Sequence, residues 1–423
     1  MHEGMLRNPS SRRSIHVLLV PRQSSSIGNL DPLTMEDLKT SLRTQSASKT
    51  IELVSPSLEG LGIVGVFDHT SSCIPELHVF EALRKNAHSG YLNLGKGYTA
   101  SAATASAIME GIEMSLIESP LIKGMPWVNS LDGRIVRFRD ARYCLSSNVE
   151  QPIVNCIPCR DLIADTKCFV PACDVFYPAA LEAGLPLRSF TNGLASGNTV
   201  DEAMLHALYE LIERDAMQYC FDKPDSVIPV CSASFGDQLL DNVVDRLADQ
   251  GHLLILRLLR SKAAAVFEAT LFIKSPDKAY QLFNGWGCNH SPLIAARRAI
   301  SEAAQVWRIQ EAIELNTLPA SRRKGGYVVS SDDYLAMPRT HLNPKPTIAA
   351  INETTLDSAM GMVGMQTTNI ELSVDPRLLV SDLISKFTAM NVTSLYCVGL
   401  SPENLPVHVV RCFSSDLACP IGL

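Results

Sequence analysis

No apolar run in the 423 residues comes near the roughly 20 residues that a membrane-crossing helix needs. Residues 15–20 are mostly apolar and follow Arg12 and Arg13, yet the run is too short for a signal peptide and no small-residue cleavage site follows it. It reads instead as a first β-strand. An excess of positive charge is also missing. Lys and Arg number 37 against 44 Asp and Glu, a formal net charge of −7, which gives no general attraction to nucleic acid or to an anionic membrane. A local basic pocket is still allowed, because a phosphate site needs only a few cations. Nor is there a small, cysteine-dense framework. The 12 cysteines are scattered, a usage that fits a reducing, cytoplasmic setting.

What is present is the composition of a globular chain, 46% hydrophobic and 19% charged, long enough for a sizeable core. Residues 1–50 read as a polar arm followed by a first strand and helix, with Thr34 placed to cap a helix over 35–39. Residues 51–423 read as the main domain, with a surface excursion at 321–346 marked by Gly325, Gly326 and several prolines. Strand-like runs stand at 61–67, 135–138, 153–158, 253–259, 266–273 and 407–412. Helices and strands mix throughout, so the fold class is mixed α/β (α+β).

Three segments echo one another. Each opens on a hydroxyl, Thr99, Thr199 or Ser291, whose oxygen can accept a backbone N–H left free in the first helical turn. Pro292 takes the first helical position of the third, where its missing donor costs little. Alanine recurs four and eight residues after each cap, at Ala103 and Ala107, Ala203 and Ala207, Ala295 and Ala299, giving each helix a lean stripe. Eleven and fourteen residues after the caps come Glu110 and Glu113, Glu210 and Glu213, Glu302 and Gln305. Their i,i+3 spacing puts each pair on one helix face. A glycine-containing turn is expected before each cap, at Gly95 and Gly97, Gly193 and Gly197, Gly285 and Gly287. Such turns bring backbone N–H groups close to an anion beside a helix N-terminus.

A single Glu pair on a helix ordinarily faces solvent. Three matched sets of caps, alanines and acids favour convergence instead. Carboxylates that are not mutually neutralised need cations, and hard oxygen ligands suit Mg2+, which usually brings phosphate. The segments thus point to a magnesium–nucleotide site on three similar helices. The repeat implied, with a period of roughly a hundred residues, is too long for a solenoid.

At these residues the chain resembles the YcaO family of ATP-dependent enzymes that modify peptide backbones. The strongest match is Thr191-Asn-Gly-Leu-Ala-Ser-Gly-Asn-Thr-Val-Asp-Glu-Ala-Met-Leu-His-Ala-Leu-Tyr-Glu-Leu-Ile-Glu-Arg-Asp215. Gly95-Lys-Gly97 with Ser106-Ala-Ile-Met-Glu-Gly-Ile-Glu113, and Ser301-Glu-Ala-Ala-Gln305, match two further motifs. Weaker echoes are Asp68-His-Thr70, Arg84-Lys-Asn-Ala87, Asp161-Leu162 and Val170-Pro171. The resemblance implies a YcaO-type domain whose internal pseudo-repeats place three acidic helices around a nucleotide site. It implies that Glu110, Glu113, Glu210 and Glu213 hold Mg2+ ions bridging the phosphates of ATP. Lys96, Ser106, Arg214, Glu302 and Gln305 would bind the nucleotide, with Lys96 and Arg214 neutralising phosphate charge. The implied reaction phosphorylates an amide oxygen of a ribosomally made precursor peptide. A Cys, Ser or Thr side chain then gives an azoline, or sulfide gives a thioamide. No residue is assigned to the bond-making step.

Two positions depart from the family pattern. Met114 stands where many members have Arg, and Trp307 takes the place of another frequent Arg, with Arg308 one residue late. The tail Cys419-Pro-Ile-Gly-Leu423 lacks the proline-rich ending of azoline-forming members, which raises the thioamide branch and its TfuA-type partner. With no leader-recognition module evident, a separate E1-like or TfuA-type partner is expected; a homodimer is allowed. Two rivals stay open: a kinase- or ligase-like enzyme with another substrate, and a non-catalytic nucleotide-binding partner subunit of a peptide-modifying complex.

Other signals weigh less. Residues 90–96 fit the start of a phosphate-binding P-loop, but Gly97 replaces the hydroxyl that should hold Mg2+. Cys156, Cys159, Cys168 and Cys173 could form a zinc site, though the second pair is widely spaced. The preferred reading is two strands around Asp161 and Leu162, with cysteines as small apolar residues. His206, one turn before Glu210, could touch the acidic cluster or equally serve as a structural hydrogen bonder, the preferred of the two readings. Arg297 and Arg298 are adjacent and point to different sides, so at most one should face a phosphate.

Overall fold

The computed structural model describes residues 42–85, 87, 93–118, 156–176, 191–274, 280–314, 356–362 and 375–418. The expected strands at 15–20 and 135–138, the helix at 35–39, the excursion at 321–346 and the tail after Ala418 lie outside these residues. The principal helices are α1 (Ala47–Val54), α2 (Ala100–Glu118), α3 (Val200–Asp222), α4 (Gln238–Asp249), α5 (Pro292–Glu314), α6 (Leu356–Met362) and α7 (Pro376–Ala389). α1 runs across residue 50, where the sequence places a boundary.

The three capping hydroxyls act as their positions dictate. Thr99 Oγ1 accepts from the Ala102 N–H at 3.1 Å, Thr199 Oγ1 from Glu202 at 3.1 Å and Ser291 Oγ from Ile294 at 3.4 Å. They start α2, α3 and α5. Each of these helices follows directly on a strand and packs against it: β3 (Asn93–Gly97), β6 (Leu194–Gly197) and β10 (Tyr280–Asn289). Most of the glycines read as turns therefore lie in strands, and their role is contact. A Cβ on Gly285 would collide with the backbone of Ala299 and Ala303, and one on Gly95 with that of Ala103 and Ala107. The lean alanine stripe of each helix thus rests against strand backbone. Gly193 does sit in a turn, at φ +73°, and a Cβ there would strike the Cys412 carbonyl.

The remaining strands are β1 (Ile63–Asp68), β2 (His78–Arg84), β4 (Cys156–Asp161), β5 (Thr166–Pro171), β7 (Ile228–Val230), β8 (Leu253–Leu259), β9 (Ala265–Lys274), β11 (Tyr396–Gly399) and β12 (His408–Phe413). They form three sheets, in the orders β1-β2-β3, β5-β4-β11-β12-β6 and β10-β9-β8-β7. Every described pairing is antiparallel. The expected runs at 253–259, 266–273 and 407–412 coincide with β8, β9 and β12 to within a residue or so, whereas the run at 153–158 shifts toward β4.

The five-stranded sheet has two buried faces. Cys159, Cys168 and Val398 join a core with α2 and the first sheet, while Cys397, Cys412 and Val410 join one with α3 and α7. The third sheet packs α4 and α5 over Phe267, Leu271 and Trp307. A buried fork, Arg84 Nη2 to Glu118 Oε1 at 2.7 Å and Nη1 to Oε2 at 2.9 Å, pins the end of α2 to β2. Arg84 therefore serves packing.

Cys156, Cys159 and Cys168 do not gather, and the Cys173 side chain lies outside the described residues. Cys159 faces Cys168 across the β4–β5 hairpin, sulfurs 3.1 Å apart. Cys156, an odd number of residues along the same strand, lies on the opposite face. Burial and the neighbouring Cys168 raise the Cys159 thiol well above its ordinary range, the reverse of what a metal-bound thiolate requires.

Since the helix–strand contacts tolerate no added carbon, Gly285→Ala should cost at least about 2 kcal/mol. Gly361→Ala in α6, where an added Cβ meets nothing within 4 Å, should be neutral or stabilising by up to about 1 kcal/mol. Denaturant unfolding midpoints compare the two. Equal stabilities would contradict this view of the packing.

Candidate active site

With their alanine stripes on the strands, α2, α3 and α5 turn their acidic faces toward one cavity of about 500 Å3. Glu110, Glu113, Glu210, Glu213, Glu302 and Gln305 all line it, and so do Lys96, Ser106 and Arg214. Lys96 stands on β3, which is a strand and not a P-loop. Its ammonium bonds Glu302, joining the first and third units. Arg214 lies 3.3 Å from Glu210 and 3.6 Å from Glu213. Gly193 N–H donates to Glu210 Oε2 at 3.1 Å, so the turn before β6 fixes that carboxylate. Ser196 Oγ donates to Glu113 Oε1 at 2.5 Å.

The cations do not cover the acids evenly. Among the described residues, Glu110 and Glu113 have no cation within ion-pair distance. Burial, then the charge of Glu113, pushes Glu110 up to about 8. Burial raises Glu113 to about 7 against its bond from Ser196. Burial also raises Glu213 to about 7 despite Arg214, and Glu210 is raised for the same reason against the same arginine. Of these five acids Glu302 alone is lowered: burial would raise it, but Lys96 and Arg214 outweigh that. The cavity is short of positive charge, most of all at the α2 pair.

Several residues at the site escape the sequence reading. Glu202 is fully buried at the start of α3. It accepts from Arg43 Nη1 at 2.9 Å, from Thr44 Oγ1 at 2.5 Å and from the Thr44 N–H at 3.1 Å. Burial would raise its pKa, but Arg43 and Thr44 overcome this and lower it. Glu202 thereby holds the 42–44 segment at the cavity, with Arg43 in the wall. In the sequence Glu202 reads only as an acid favoured near a helix N-terminus, and Arg43 falls in the arm. Both adjacent arginines line the cavity, and Arg297 gives its guanidinium to Asp237 at 2.6 and 2.8 Å. Tyr209 backs the wall through His290 Nδ1 at 2.6 Å, and His290 Nε2 meets Asp382 of α7 at 2.8 Å.

The atypical positions have structural roles. Met114 borders the cavity and packs on the adjoining core. Trp307 is buried in the third core, and Arg308 Nε donates to the His69 carbonyl at 2.9 Å. His206 lines the cavity with the acids, and among the described residues its buried Nε2 lacks the partner that a structural hydrogen bonder would have.

The family model for YcaO cyclodehydratase, ATP- and Mg2+-binding, matches residues 94–418. The chain belongs to the YcaO family. It is 30% identical over 277 residues to an uncharacterized protein of the tfuA 3′ region of Rhizobium leguminosarum bv. trifolii, covering 62% of this chain and 66% of that protein. An uncharacterized protein of Methanothermobacter thermautotrophicus is 29% identical over 272 residues, covering 61% and 68%. The chain thus spans about two thirds of the curated relatives it matches. Its fold is that of YcaO from Methanopyrus kandleri bound with AMPPCP and Mg2+ (TM-score 0.62, 20% identity, covering 90% of this chain and 93% of that one). A heterocyclase in complex with substrate and cofactor shares it too, with a TM-score of 0.65 and 19% identity over 89% of this chain and 53% of that one.

ATP and Mg2+ are the cofactors of the YcaO family, and the cavity's donor set fits both. Among the described residues no three acid, His or Cys side chains are grouped as a metal cage. Mg2+ is commonly held by one or two carboxylates together with phosphate and water, which is what paired glutamates offer. Among the described residues Gln305 Oε1 and Arg298 Nε, like His206 Nε2, are buried without a hydrogen-bond partner, as expected of groups that a ligand completes.

The raised carboxyls predict how the metal-free YcaO chain responds to pH. Glu110, Glu113 and Glu213 rise from an ordinary 4.5 to about 7 or 8 in the folded chain, so the folded state keeps protons that the unfolded chain releases. Their stabilising contribution is whole below about pH 4.5 and is lost as pH rises to about 8. Without Mg2+, the thermal midpoint should be lower at pH 8 than at pH 6, and Glu110→Gln should flatten that slope. A slope unchanged by Glu110→Gln would contradict the electrostatics described.

Proposed function

We propose that this protein uses ATP to activate a backbone amide of a ribosomally made precursor peptide. The observation that carries the reading is the cavity itself, where three helices present six inward Glu and Gln side chains beside Lys96, Arg214, Arg298 and Arg43. In this reading Glu110, Glu113, Glu210 and Glu213 hold the magnesium ions, which neutralise charge on the nucleotide phosphates. Lys96, Arg214 and Arg298 bind phosphoryl oxygens, and Ser106, Glu302 and Gln305 complete the nucleotide site.

An amide oxygen is a poor leaving group. Transfer of the terminal phosphoryl of ATP to it releases ADP and makes the oxygen a good one. A nucleophile then adds to the amide carbon, and that oxygen departs as phosphate. With sulfide the product is a thioamide, the outcome favoured by the relative from a tfuA region; a TfuA-type partner belongs with it. The cyclodehydratase description of the family favours a second reading, azoline formation with an E1-like partner. The cytoplasm is the proposed setting for either.

The test is co-incubation of the chain with a precursor peptide and its partner. Release of ADP and phosphate should depend on the peptide, and Glu210→Ala or Glu213→Ala should reduce it by about 10²-fold or more. Full activity in both variants would sink the assignment. Turnover without any peptide would point to a kinase- or ligase-like enzyme, and binding without turnover to a non-catalytic subunit. The peptide mass separates the products: exchange of oxygen for sulfur raises it, and loss of water lowers it.

A further inference from the structure

His206 lies on α3 one turn before Glu210 and lines the cavity, only 8% exposed. Its ring meets Tyr209 edge-on, centroids 6.1 Å apart, and Tyr209 is itself anchored by His290. The imidazole is therefore held between a fixed aromatic wall and the cavity. Among the described residues its buried Nε2 bonds to nothing. A buried polar atom without a partner costs stability and is uncommon in native proteins. An atom of this kind in the wall of a binding cavity is accounted for when the ligand supplies the missing bond.

The surroundings identify the ligand group. Burial, then the guanidiniums of Arg43 and Arg298, keep the His206 pKa well below its ordinary value. The ring is therefore uncharged, with one N–H to donate. The chemical group that suits a position near two guanidiniums is an anionic oxygen. We propose that His206 Nε2–H donates a hydrogen bond to a phosphoryl oxygen of the bound nucleotide, alongside Arg43 and Arg298. This rests on the nucleotide reading of the cavity. A third cation in that place would be repelled by its neighbours; an imidazole adds a directed donor with no such repulsion.

The test uses the full chain, Mg2+ with the non-hydrolysable analogue AMPPCP as probe, and adenosine as the phosphate-free comparison. His206→Leu should weaken AMPPCP binding about tenfold or more, a charge-assisted bond being lost. Adenosine affinity should stay the same, and the thermal midpoint of the free protein should be unchanged or higher, because an unpartnered polar atom is gone. His206→Asn, which keeps a donor, should recover part of the AMPPCP affinity. Equal AMPPCP affinity in wild type and His206→Leu would overturn the proposal, as would an equal loss of adenosine binding. A lowered midpoint in His206→Leu with no selective loss for AMPPCP would assign the residue to structure. Failure of the wild type to bind AMPPCP would instead defeat the nucleotide reading, and this inference with it.

Discussion

Repulsion among the carboxylates of one cavity is the constraint around which the rest of the structure is arranged. Six glutamates on α2, α3 and α5 line a common space, and among the described residues Glu110 and Glu113 have no cation within ion-pair distance. Burial makes the shortage worse by removing the solvent that would otherwise stabilise the charges. In the folded chain Glu110, Glu113 and Glu213 accordingly hold their protons to higher pH than ordinary carboxyls do. A divalent cation can replace those protons, and nucleotide phosphates can then bind where the acids alone would repel them. The cavity is suited to metal and nucleotide together, more than to either alone.

That arrangement depends on close packing behind it. The acidic faces can converge only because the opposite side of each helix rests on strand backbone, at Gly95, Gly197 and Gly285. Glu118 on Arg84 fixes the far end of α2, and the Tyr209–His290–Asp382 chain ties α3 to α7. The same packing carries three buried polar atoms, Gln305 Oε1, Arg298 Nε and His206 Nε2, that have no hydrogen-bond partner among the described residues.

Much of this was legible in the sequence, for a physical reason. Caps, alanine stripes and i,i+3 acids are local, and a helix turns local spacing into a shared face. Thr99, Thr199 and Ser291 therefore mark the helix starts, and Glu110 through Gln305 mark the site. Apolar runs such as 253–259 mark strands for the same reason. What escaped is set by distance along the chain. Glu202 binds Arg43 across 159 residues and Arg297 binds Asp237 across 60, and no spacing rule links such pairs. The glycines were misread because a turn and a tight helix–strand contact both select a residue without a Cβ. For His206 both readings stayed open, because its helix position shows what it is near and not whether a partner waits for its nitrogen.

The cooperation between metal and nucleotide is the centre of the account, and calorimetric titration of AMPPCP into the metal-free chain at pH 8 tests it most directly. Run with Mg2+ and again with a chelator, the titrations should show binding that is strong with the metal and at least about tenfold weaker without it, with protons released on binding. Equal affinity in the two titrations, with no proton release, would contradict it.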